Sequence, residues 1–440
     1  MNDEIYNRKL EQLFVRFPSV QNVGFNDAYK PGLEHMEAFN ALLGHPDRQF
    51  KAIHVAGTNG KGSVANMTAS ALAATGLKVG LYTSPHILDF RERMRAIDEK
   101  GIAYMISKDE VWEFITRWEP VFEDLNLSFF EITTGMAFWW FARQEVDFAV
   151  IEVGLGGRLD STNIITPDLA IVTSIGLDHC AMLGDTRAAI AGEKAGIFKS
   201  GVPAIVGSCD EETAPVFEQK AALTSCTLTF ADEHPLTQWT DAESIASALD
   251  LRGEYQAENL HTVLTALDLL GVADAPQVRD AIAHTARRMD FHGRWEKIGE
   301  CPDVICDIGH NPPALAKNFA QLEEYLARAQ YTRVIIVYGV MKDKDLSGII
   351  PLMPLDAEYV MVAPSTPRAM DVDTLYGRCL EGLTARGMVA DRIRRGGCVT
   401  EGLSLALELA EYEPEKTLIY IGGSTFVVSE ATAVFNESRV

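Results

Sequence analysis

Positive charge is scarce in this chain relative to negative charge. The 440 residues contain 39 lysines and arginines against 62 aspartates and glutamates, which gives a formal net charge of −23. This balance disfavours a general nucleic-acid binder or a protein that adheres to anionic membranes. It does not exclude small anionic substrates, because basic residues close to a site govern their binding. We therefore expect small-molecule partners, with no nucleic acid and no membrane.

Long apolar runs and closely spaced cysteines are also missing. The most apolar stretch, Ile132 to Ala142, is too short to span a bilayer. Met1–Leu10 is polar and charged, without the pattern of a signal peptide. The seven cysteines are scattered, and Cys301 and Cys306 do not have the spacing of a metal knuckle. These absences predict a cytoplasmic protein whose thiols are reduced.

Apolar runs and helical stretches alternate along the first two thirds of the chain, which is typical of a parallel sheet covered by helices. Hydrophobic residues make up 47% of the sequence, enough for a packed core, and a chain of this length favours two or three domains. The predicted strands are Lys78–Tyr82, Phe148–Val153, Leu169–Ser174 and Ala204–Val206, and the predicted helices are Val64–Ala74, Asp109–Trp118, Thr133–Arg143 and Thr186–Ala195.

A second α/β unit is predicted from about residue 297 onwards. We place the boundary within Arg287–Glu296, so that residues 1–292 form a larger N-terminal domain and residues 293–440 a smaller C-terminal domain. The predicted strands of this unit are Val304–Asp307, Arg333–Tyr338, Glu358–Val362 and Thr417–Ile421, and its predicted helices are Asn311–Ala327, Asp373–Arg386 and Glu401–Tyr412.

A glycine-rich segment, Gly57–Ser63, lies between an apolar run and a helix-like run. In such a strand–turn–helix unit the backbone N–H groups and the helix dipole point at one spot, which suits phosphate. Lys61 is placed to reach the β- and γ-phosphates of a nucleotide. The match to the usual phosphate loop is imperfect, because Gly62 stands between Lys61 and the hydroxyl of Ser63. A tight strand–helix turn without a ligand remains the alternative.

Polar residues follow several of the predicted strands, where ligands bind in parallel sheets. Glu152 ends one strand and suits Mg²⁺, although a carboxylate there also caps helices. His179 follows the next strand, and Ser84 follows the strand that ends at Tyr82. Arg93 supplies fixed positive charge for a carboxylate or phosphate. Taken alone, a histidine like His179 is more often structural than a ligand, and a charged triplet like Arg91–Arg93 is more often a solvated cluster.

Together these segments resemble the folylpolyglutamate synthase/dihydrofolate synthase family, a branch of the Mur-ligase superfamily. The resemblance covers nearly the whole chain and rests on eleven motifs in order: GTNGKGS (57–63), TSPH (83–86), ER (92–93), FFE (129–131), EVGLGGRLD (152–160), GLDH (176–179), EKAGIF (193–198), GRW (293–295), DIGHNP (307–312), MKDKD (341–345) and GGS (422–424). The family also carries the additional glycine of the GKGS loop.

The resemblance implies an ATP-dependent ligase. ATP phosphorylates a substrate carboxylate, and the amine of L-glutamate then displaces phosphate to leave an amide. The acceptor is dihydropteroate, or the γ-carboxylate of a reduced folate. Because an acyl phosphate hydrolyses easily, we expect the two domains to close before reaction about a hinge at Arg287–Glu296.

The resemblance also implies a role for each matched residue. Lys61, Lys194, His310 and Asp307 are expected to be catalytic, with Lys194 reacting with CO₂ to form a carbamate. Two Mg²⁺ ions are expected at Ser84, Glu152 and His179. The residues expected to bind ATP are Thr58, Asn59, Gly60, Lys61, Gly62, Ser63, Asn259, Arg294 and Asp307, and those expected to bind the other substrates are Arg93, Ser128, Phe129, Phe130, Glu131, Leu159, Asp160, Ser161 and Ser424.

Two other classes of protein share part of this pattern. A Mur ligase that acts on a cell-wall nucleotide precursor needs an added N-terminal domain, and the residues before Gly57 are too few for one. A phosphate-loop switch without ligase chemistry needs neither the Glu152, His179 and Lys194 set nor the DIGHNP domain. The residues around 10–35 and 120–131 are expected to decide between dihydropteroate and folate. We expect a monomer.

Overall fold

The computed structural model describes residues 3–17, 32–239 and 241–437; part of the 10–35 segment, including Pro31, lies outside the described residues. The chain forms two compact units. The first comprises Met1–Asp250 and Gln256–Phe291, and the second comprises Leu251–Tyr255 and His292–Val440. The short segment Leu251–Tyr255 therefore belongs to the second unit although it lies far from the rest of it in sequence.

The first unit is built on an eight-stranded sheet. Its strands are β1 (Lys51–Ala56), β2 (Val79–Tyr82), β3 (Met94–Ile97), β4 (Ala103–Met105), β5 (Phe148–Glu152), β6 (Leu169–Val172), β7 (Ala204–Val206) and β8 (Leu228–Phe230). They lie in the order β4-β3-β2-β5-β1-β6-β7-β8. The six strands from β2 to β8 in this order are parallel, whereas β3 is antiparallel to β2 and β4. The carboxyl ends of β2, β5, β1 and β6 thus meet at one edge.

Helices cover this sheet and pack its aliphatic core. Helix α3 (Lys61–Ala73) is buried almost throughout, because its small side chains let neighbouring elements approach closely. The other helices of the unit are α1 (Asp3–Arg16), α2 (Glu34–Leu42), α4 (Lys108–Asp124), α5 (Phe129–Arg143), α6 (Cys180–Leu183), α7 (Arg187–Lys194), α8 (Ala214–Thr224), α9 (Ala242–Ala248), α10 (Gln256–Leu269), α11 (Pro276–Ala283) and α12 (Thr285–Met289).

The second unit contains a six-stranded sheet in the order β13-β12-β11-β14-β10-β9. Only β9 is antiparallel to its neighbour. An aromatic and aliphatic core that includes Trp295, Phe319 and Tyr420 packs against it. The elements are β9 (Glu296–Gly299), β10 (Asp303–Cys306), α13 (Pro312–Ala327), β11 (Arg333–Tyr338), β12 (Glu358–Ala363), α14 (Val372–Ala385), β13 (Ile393–Cys398), α15 (Val399–Ala410), β14 (Thr417–Gly422) and α16 (Thr425–Glu437).

The predicted α/β class is confirmed, and the eight predicted strands are present with ends shifted by at most two residues. Three helix predictions were wrong in extent. The helix predicted from Val64 begins at Lys61. The helix predicted from Thr133 begins at Phe129, because Ser128 and Glu131 form a capping box one turn earlier. The helix predicted to end at Trp118 continues to Asp124. Within the described residues, no helix combines the length and the apolar character needed to cross a membrane.

Candidate active site

The segment from Gly57 to Gly60 turns the chain from β1 into α3. Gly57 and Gly60 have φ angles of +149° and +86°, which L side chains rarely adopt. A Cβ atom on Gly57 would lie 1.9 Å from Thr173 Oγ1. Lys61 begins the helix, and its Nζ folds back to donate hydrogen bonds to the Gly57 and Thr58 carbonyl oxygens at 2.9 and 3.1 Å. The turn is therefore compact, and glycine is required where β6 approaches.

The segment after β6 holds this turn by backbone and hydroxyl contacts. The Thr58 N–H donates to the Ser174 carbonyl at 2.7 Å, and the Asn59 N–H donates to Ser174 Oγ at 3.1 Å. Thr173 Oγ1 donates to the Asn59 carbonyl at 2.6 Å. Sequence reasoning treated Thr173 and Ser174 as the end of a strand. Their position directly before the GLDH motif was the available signal that they belong to the site.

Helix α10 packs its first turn against the same loop. Gln256 Nε2 donates to Ser63 Oγ at 3.1 Å, and Asn259 Nδ2 donates to Gln256 Oε1 at 2.8 Å. A Cβ atom on Gly60 would lie 2.3 Å from Asn259 Oδ1. Asn259, which was predicted to bind ATP, thus lies against the segment Gly57–Ser63, called the phosphate loop from here on. Gln256 was missed, because a glutamine outside a recognised motif gives no signal of its own.

Glu152 and Ser84 meet at the ends of the adjacent strands β5 and β2. The Ser84 backbone N–H donates to Glu152 Oε2 at 3.1 Å, and the Glu152 side chain is buried. A buried carboxylate beside a serine hydroxyl offers the oxygen donors that Mg²⁺ prefers. His179 follows β6 and has a left-handed backbone, and its Nε2 lies 3.7 Å from Asp178 Oδ2. No three His, Cys, Asp or Glu side chains form a metal-binding group in the described part of the chain.

Lys194, the last residue of α7, is buried beside the phosphate loop. Its Nζ donates to the Gly57 carbonyl oxygen at 2.9 Å. The pKa of Lys194 is lowered to about 7, chiefly by burial and then by the nearby charge of Lys61, while Asp178 and Asp160 act in the opposite direction. A large fraction of this amine is therefore uncharged at neutral pH, which ordinary surface lysines are not.

Asp160 shapes the glycine-rich turn that follows Glu152. Its carboxylate accepts the backbone N–H of Leu155 at 2.8 Å and that of Thr162 at 3.0 Å, together with the Thr162 hydroxyl. Burial raises its pKa despite these hydrogen bonds. His54 Nε2 lies 2.8 Å from Thr162 Oγ1. Leu159 and Ser161 flank Asp160 and are partly exposed.

Five of the residues expected to bind the acceptor lie on or beside the first turn of α5: Arg93, Ser128, Phe129, Phe130 and Glu131. Ser128 and Glu131 cap the helix reciprocally, with the Ser128 N–H 2.6 Å from Glu131 Oε2. Phe129 is buried in the core, and the Arg93 guanidinium lies over its ring at 5.4 Å. Phe130 lies 5.9 Å from the Tyr82 ring, centroid to centroid. The capping explains the local role of Ser128 and Glu131 without any ligand.

Asp307 follows β10 in the second unit and accepts four hydrogen bonds. Oδ2 accepts from the Tyr255 hydroxyl at 2.6 Å and the Trp295 N–H at 2.9 Å. Oδ1 accepts from the Gly309 N–H at 2.7 Å and from Asn318 Nδ2 at 2.8 Å. These contacts occupy both carboxylate oxygens. Tyr255 belongs to no recognised motif and lies 52 residues before its partner, so it could not be predicted from the sequence.

The other expected residues of the second unit lie in turns. Arg294 Nη1 donates to the Gly293 carbonyl at 3.2 Å, and His310 Nδ1 lies 3.0 Å from the Ile308 carbonyl. Ser424 is buried before α16, and its Oγ accepts the Val427 N–H at 3.2 Å. The Ile308 N–H donates to the Gly293 carbonyl at 3.1 Å. The GRW and DIGHNP motifs are therefore joined directly.

A glycine-rich phosphate loop, a buried carboxylate at a strand end and a second α/β unit define a Mur-type ligase. The model of the Mur ligase middle domain matches residues 126–267, and that of the Mur ligase glutamate ligase domain matches residues 293–424.

Within that class, the chain belongs to the folylpolyglutamate synthase/dihydrofolate synthase family. It is 34% identical over 372 residues to the dihydrofolate synthase/folylpolyglutamate synthase of Bacillus subtilis, covering 79% of this chain and 84% of that protein. It is 33% identical over 437 residues to a probable bifunctional folylpolyglutamate synthase/dihydropteroate synthase of Haloferax volcanii, covering 93% of this chain. The chain spans 49% of that relative, about half its length.

The fold agrees with a solved structure of the family. The structure of Mycobacterium tuberculosis folylpolyglutamate synthase complexed with ADP and AMPPCP matches with a TM-score of 0.83 and 27% identity. The match covers 99% of both chains. The predicted arrangement of a large α/β domain followed by a Mur-ligase-type domain is thereby confirmed.

Proposed function

We propose that this protein is an ATP-dependent ligase that joins L-glutamate to dihydropteroate, to the γ-carboxylate of reduced folates, or to both. The observation that carries this proposal is the convergence at one sheet edge of the phosphate loop, the Ser84–Glu152 pair and the buried Lys194 amine. An ordinary phosphate-loop switch has no need of a buried lysine against the loop carbonyl. Family membership agrees with the same chemistry.

The reaction proceeds in two balanced steps. A carboxylate oxygen of the acceptor attacks the γ-phosphorus of ATP, and the bond to the β–γ bridging oxygen breaks to release ADP. The amine nitrogen of glutamate then attacks the acyl carbon, the bond from that carbon to the phosphate oxygen breaks, and the amine loses a proton. Lys61 and the loop N–H groups offset the repulsion between carboxylate and triphosphate in the first step.

The residues present fit at least one Mg²⁺ site. Ser84 and Glu152 would hold the ion, with phosphate oxygens and water completing its coordination, since Mg²⁺ is usually bound through one or two carboxylates. When bound, the ion neutralises charge that develops on the transferred phosphoryl group. We further propose that Glu152 and His179 contribute to a second Mg²⁺ site.

We propose that Lys194 is carbamylated in the active enzyme. Only an uncharged amine attacks CO₂, and the buried Lys194 has the lowered pKa that this requires. The N–C bond forms, the amine loses a proton, and the side chain becomes an anion. This reversal of charge replaces the repulsion between Lys194 and Lys61 by attraction.

In the second unit, we propose that Arg294 and Asp307 contact the nucleotide. We propose that His310 and Ser424 contact the acyl phosphate and the incoming glutamate. Because Asp307 accepts four hydrogen bonds, its contribution includes holding the GRW turn that carries Arg294. The pterin–benzoate part of the acceptor is assigned to Arg93, Phe129, Phe130 and the Leu159–Ser161 segment. Closure of the two units during the reaction, a monomeric state and a cytoplasmic location complete the proposal.

Measurement of ADP release with Mg-ATP and L-glutamate tests this function. Dihydropteroate and tetrahydrofolate are supplied separately as acceptors, and omission of glutamate is the control. Glutamate-dependent release with either acceptor supports the proposal and shows which activities are present. Release with neither, from folded protein that binds ATP, would mean that the ligase acts on another carboxylate.

A further inference from the structure

His86 belongs to the TSPH motif, yet the proposed reaction gives it no role. It follows β2 two residues after Ser84 and is partly buried. Its ring lies 6.1 Å from the Phe90 ring at a steep angle of 74°, and 6.3 Å from the ring of Phe14 on α1. These contacts fix the imidazole in an aromatic setting next to the candidate metal-binding serine.

The hydrogen bond between Arg93 and His86 has only one possible direction. Arg93 Nε lies 2.8 Å from His86 Nδ1. A guanidinium donates and never accepts, so Nδ1 must be unprotonated and the ring proton lies on Nε2. Arg93 therefore has a neutral acceptor at its Nε.

The loop that carries both residues is itself tightly held. The Glu92 carboxylate accepts the backbone N–H groups of Ile87, Leu88 and Asp89 at 2.8, 2.7 and 2.7 Å. The Thr83 N–H donates to the Arg93 carbonyl at 3.0 Å, which closes the loop onto β2. The His86–Arg93 bond thus lies within a segment held by several backbone contacts, and it orients the guanidinium plane from the side of Nε.

We propose that His86 is a positioning residue for Arg93, holding its guanidinium in the orientation that receives the acceptor substrate. The inference rests on the proposed function of Arg93 in binding that substrate. A bond at Nε fixes the plane of the guanidinium and the directions of its Nη N–H groups. A free arginine side chain has many rotamers, and the bond to His86 restricts them before the substrate arrives. Substrate binding therefore does not have to supply the entropic cost of ordering Arg93.

The choice of a neutral partner has a physical reason. A carboxylate at this place would also orient Arg93 but would cancel its charge. An imidazole nitrogen accepts the hydrogen bond and leaves the buried cation in place. Arg93 is buried, and the Glu152 and Glu92 carboxylates act on it electrostatically. His86 adds no further negative charge beside Arg93, so its effect on the guanidinium is one of orientation.

Two substitutions of His86 distinguish the effect of its hydrogen-bond acceptor from the effect of its ring shape. His86→Gln keeps an acceptor on a flexible side chain, and His86→Phe keeps the aromatic ring without one. We expect His86→Phe to weaken binding of dihydropteroate and tetrahydrofolate about tenfold, as for loss of a hydrogen bond to a charged group. Binding is followed by quenching of tryptophan fluorescence in the full-length protein. His86→Gln should stay within about threefold of the wild type, and KM for ATP should not change in either variant.

Controls make the result specific. His284→Gln is the same change at a partly exposed histidine whose Nδ1 lies 3.0 Å from the Asp280 carbonyl oxygen, and it should leave binding unchanged. In an Arg93→Lys background, which has no Nε donor, His86→Phe should have no further effect. His86→Met serves if His86→Phe does not fold. Equal weakening by His86→Gln and His86→Phe, or undiminished binding in His86→Phe, would overturn the proposal.

Failure of the proposed function has a different signature. If the wild-type protein binds neither acceptor, the substrate assignment of Arg93 fails. Crystal structures of the two His86 variants then decide the positioning role without any ligand. A guanidinium displaced in His86→Phe and retained in His86→Gln supports the role, and an unmoved guanidinium in His86→Phe overturns it.

Discussion

The side-chain amines of Lys61 and Lys194 donate hydrogen bonds to the same acceptor, the backbone oxygen of Gly57, and both N–O distances are 2.9 Å. Two cations that converge on one carbonyl repel each other, and the buried partner carries the lowered pKa. The pair is stable when Lys194 is uncharged and becomes attractive when Lys194 is an anion. This relationship links the phosphate loop to the chemistry proposed for Lys194.

Replacement of Lys194 by alanine should reduce ADP release at least about a hundredfold, the scale seen when a preorganised charge is removed from an active site. Short carboxylates such as acetate or propionate should restore part of the activity, since they fill the cavity with negative charge. Lys194→Arg, which keeps the positive charge and cannot form the carbamate, should not be rescued. Undiminished turnover of Lys194→Ala would refute a role for this side chain.

The same lysine predicts how activation by bicarbonate depends on pH. With a pKa of about 7, Lys194 is mostly protonated at pH 6 and mostly neutral at pH 8. Protein depleted of CO₂ should therefore regain activity faster at pH 8 than at pH 6 at equal dissolved CO₂. Reactivation rates are measured after return to one common assay pH. A rate independent of pH in this range would argue against carbamylation.

Gly57→Ala should weaken ATP use and stability together. The new Cβ atom would lie 1.9 Å from Thr173 Oγ1 at a φ of +149°, so the loop or β6 must shift. We expect a loss of about 1–3 kcal/mol in unfolding free energy and a raised KM for ATP. Gly76→Ala is the matched control, because Gly76 has a φ of +90° with nothing within 4 Å of the added atom. Gly76→Ala should lower the free energy of unfolding by about 1 kcal/mol and leave KM for ATP unchanged.

His54 predicts an acid-sensitive stability. Burial lowers its pKa to about 3 from 6.5, so the folded state keeps it neutral while the unfolded state binds a proton. Its contribution to the free energy of unfolding is present above about pH 6.5 and is lost as pH falls towards 3, with a total of about 5 kcal/mol. Urea unfolding at several pH values measures this slope. His54→Gln should lower the slope by up to about one proton, and an unchanged slope in this variant would contradict the prediction.

Asp307→Asn should destabilise the second unit as well as impair catalysis. The carboxylate accepts four hydrogen bonds, and an amide nitrogen leaves two of those donors without an acceptor. We expect the free energy of unfolding to fall by about 2–4 kcal/mol. The exposed Asp356→Asn is the control and should have little effect. Wild-type thermal stability in Asp307→Asn would show that the four contacts contribute little.

The sequence by itself determined the local elements. Gly57–Ser63 sits between a buried apolar run and a run of small residues, and a strand, turn and helix follow directly from that order. The predicted strands of both units are present because each is a continuous apolar stretch bounded by turn residues. Motifs at strand ends indicated one edge of the sheet, since parallel strands bring their carboxyl ends together.

The tertiary structure alone decided which residues hold the site residues in place. Thr173 and Ser174 form hydrogen bonds with the phosphate loop. The Tyr255 hydroxyl donates a hydrogen bond to Asp307, and His86 accepts one from Arg93. The β3–β4 extension of the sheet was likewise not indicated by the sequence. Hydrophobic periodicity reports which face of an element is buried and says nothing about its neighbours. The partners of the phosphate loop and of Asp307 lie 52 to 115 residues away in sequence, and only the folded chain brings them together. His86 and Arg93 are seven residues apart, but the turn between them decides that their side chains meet.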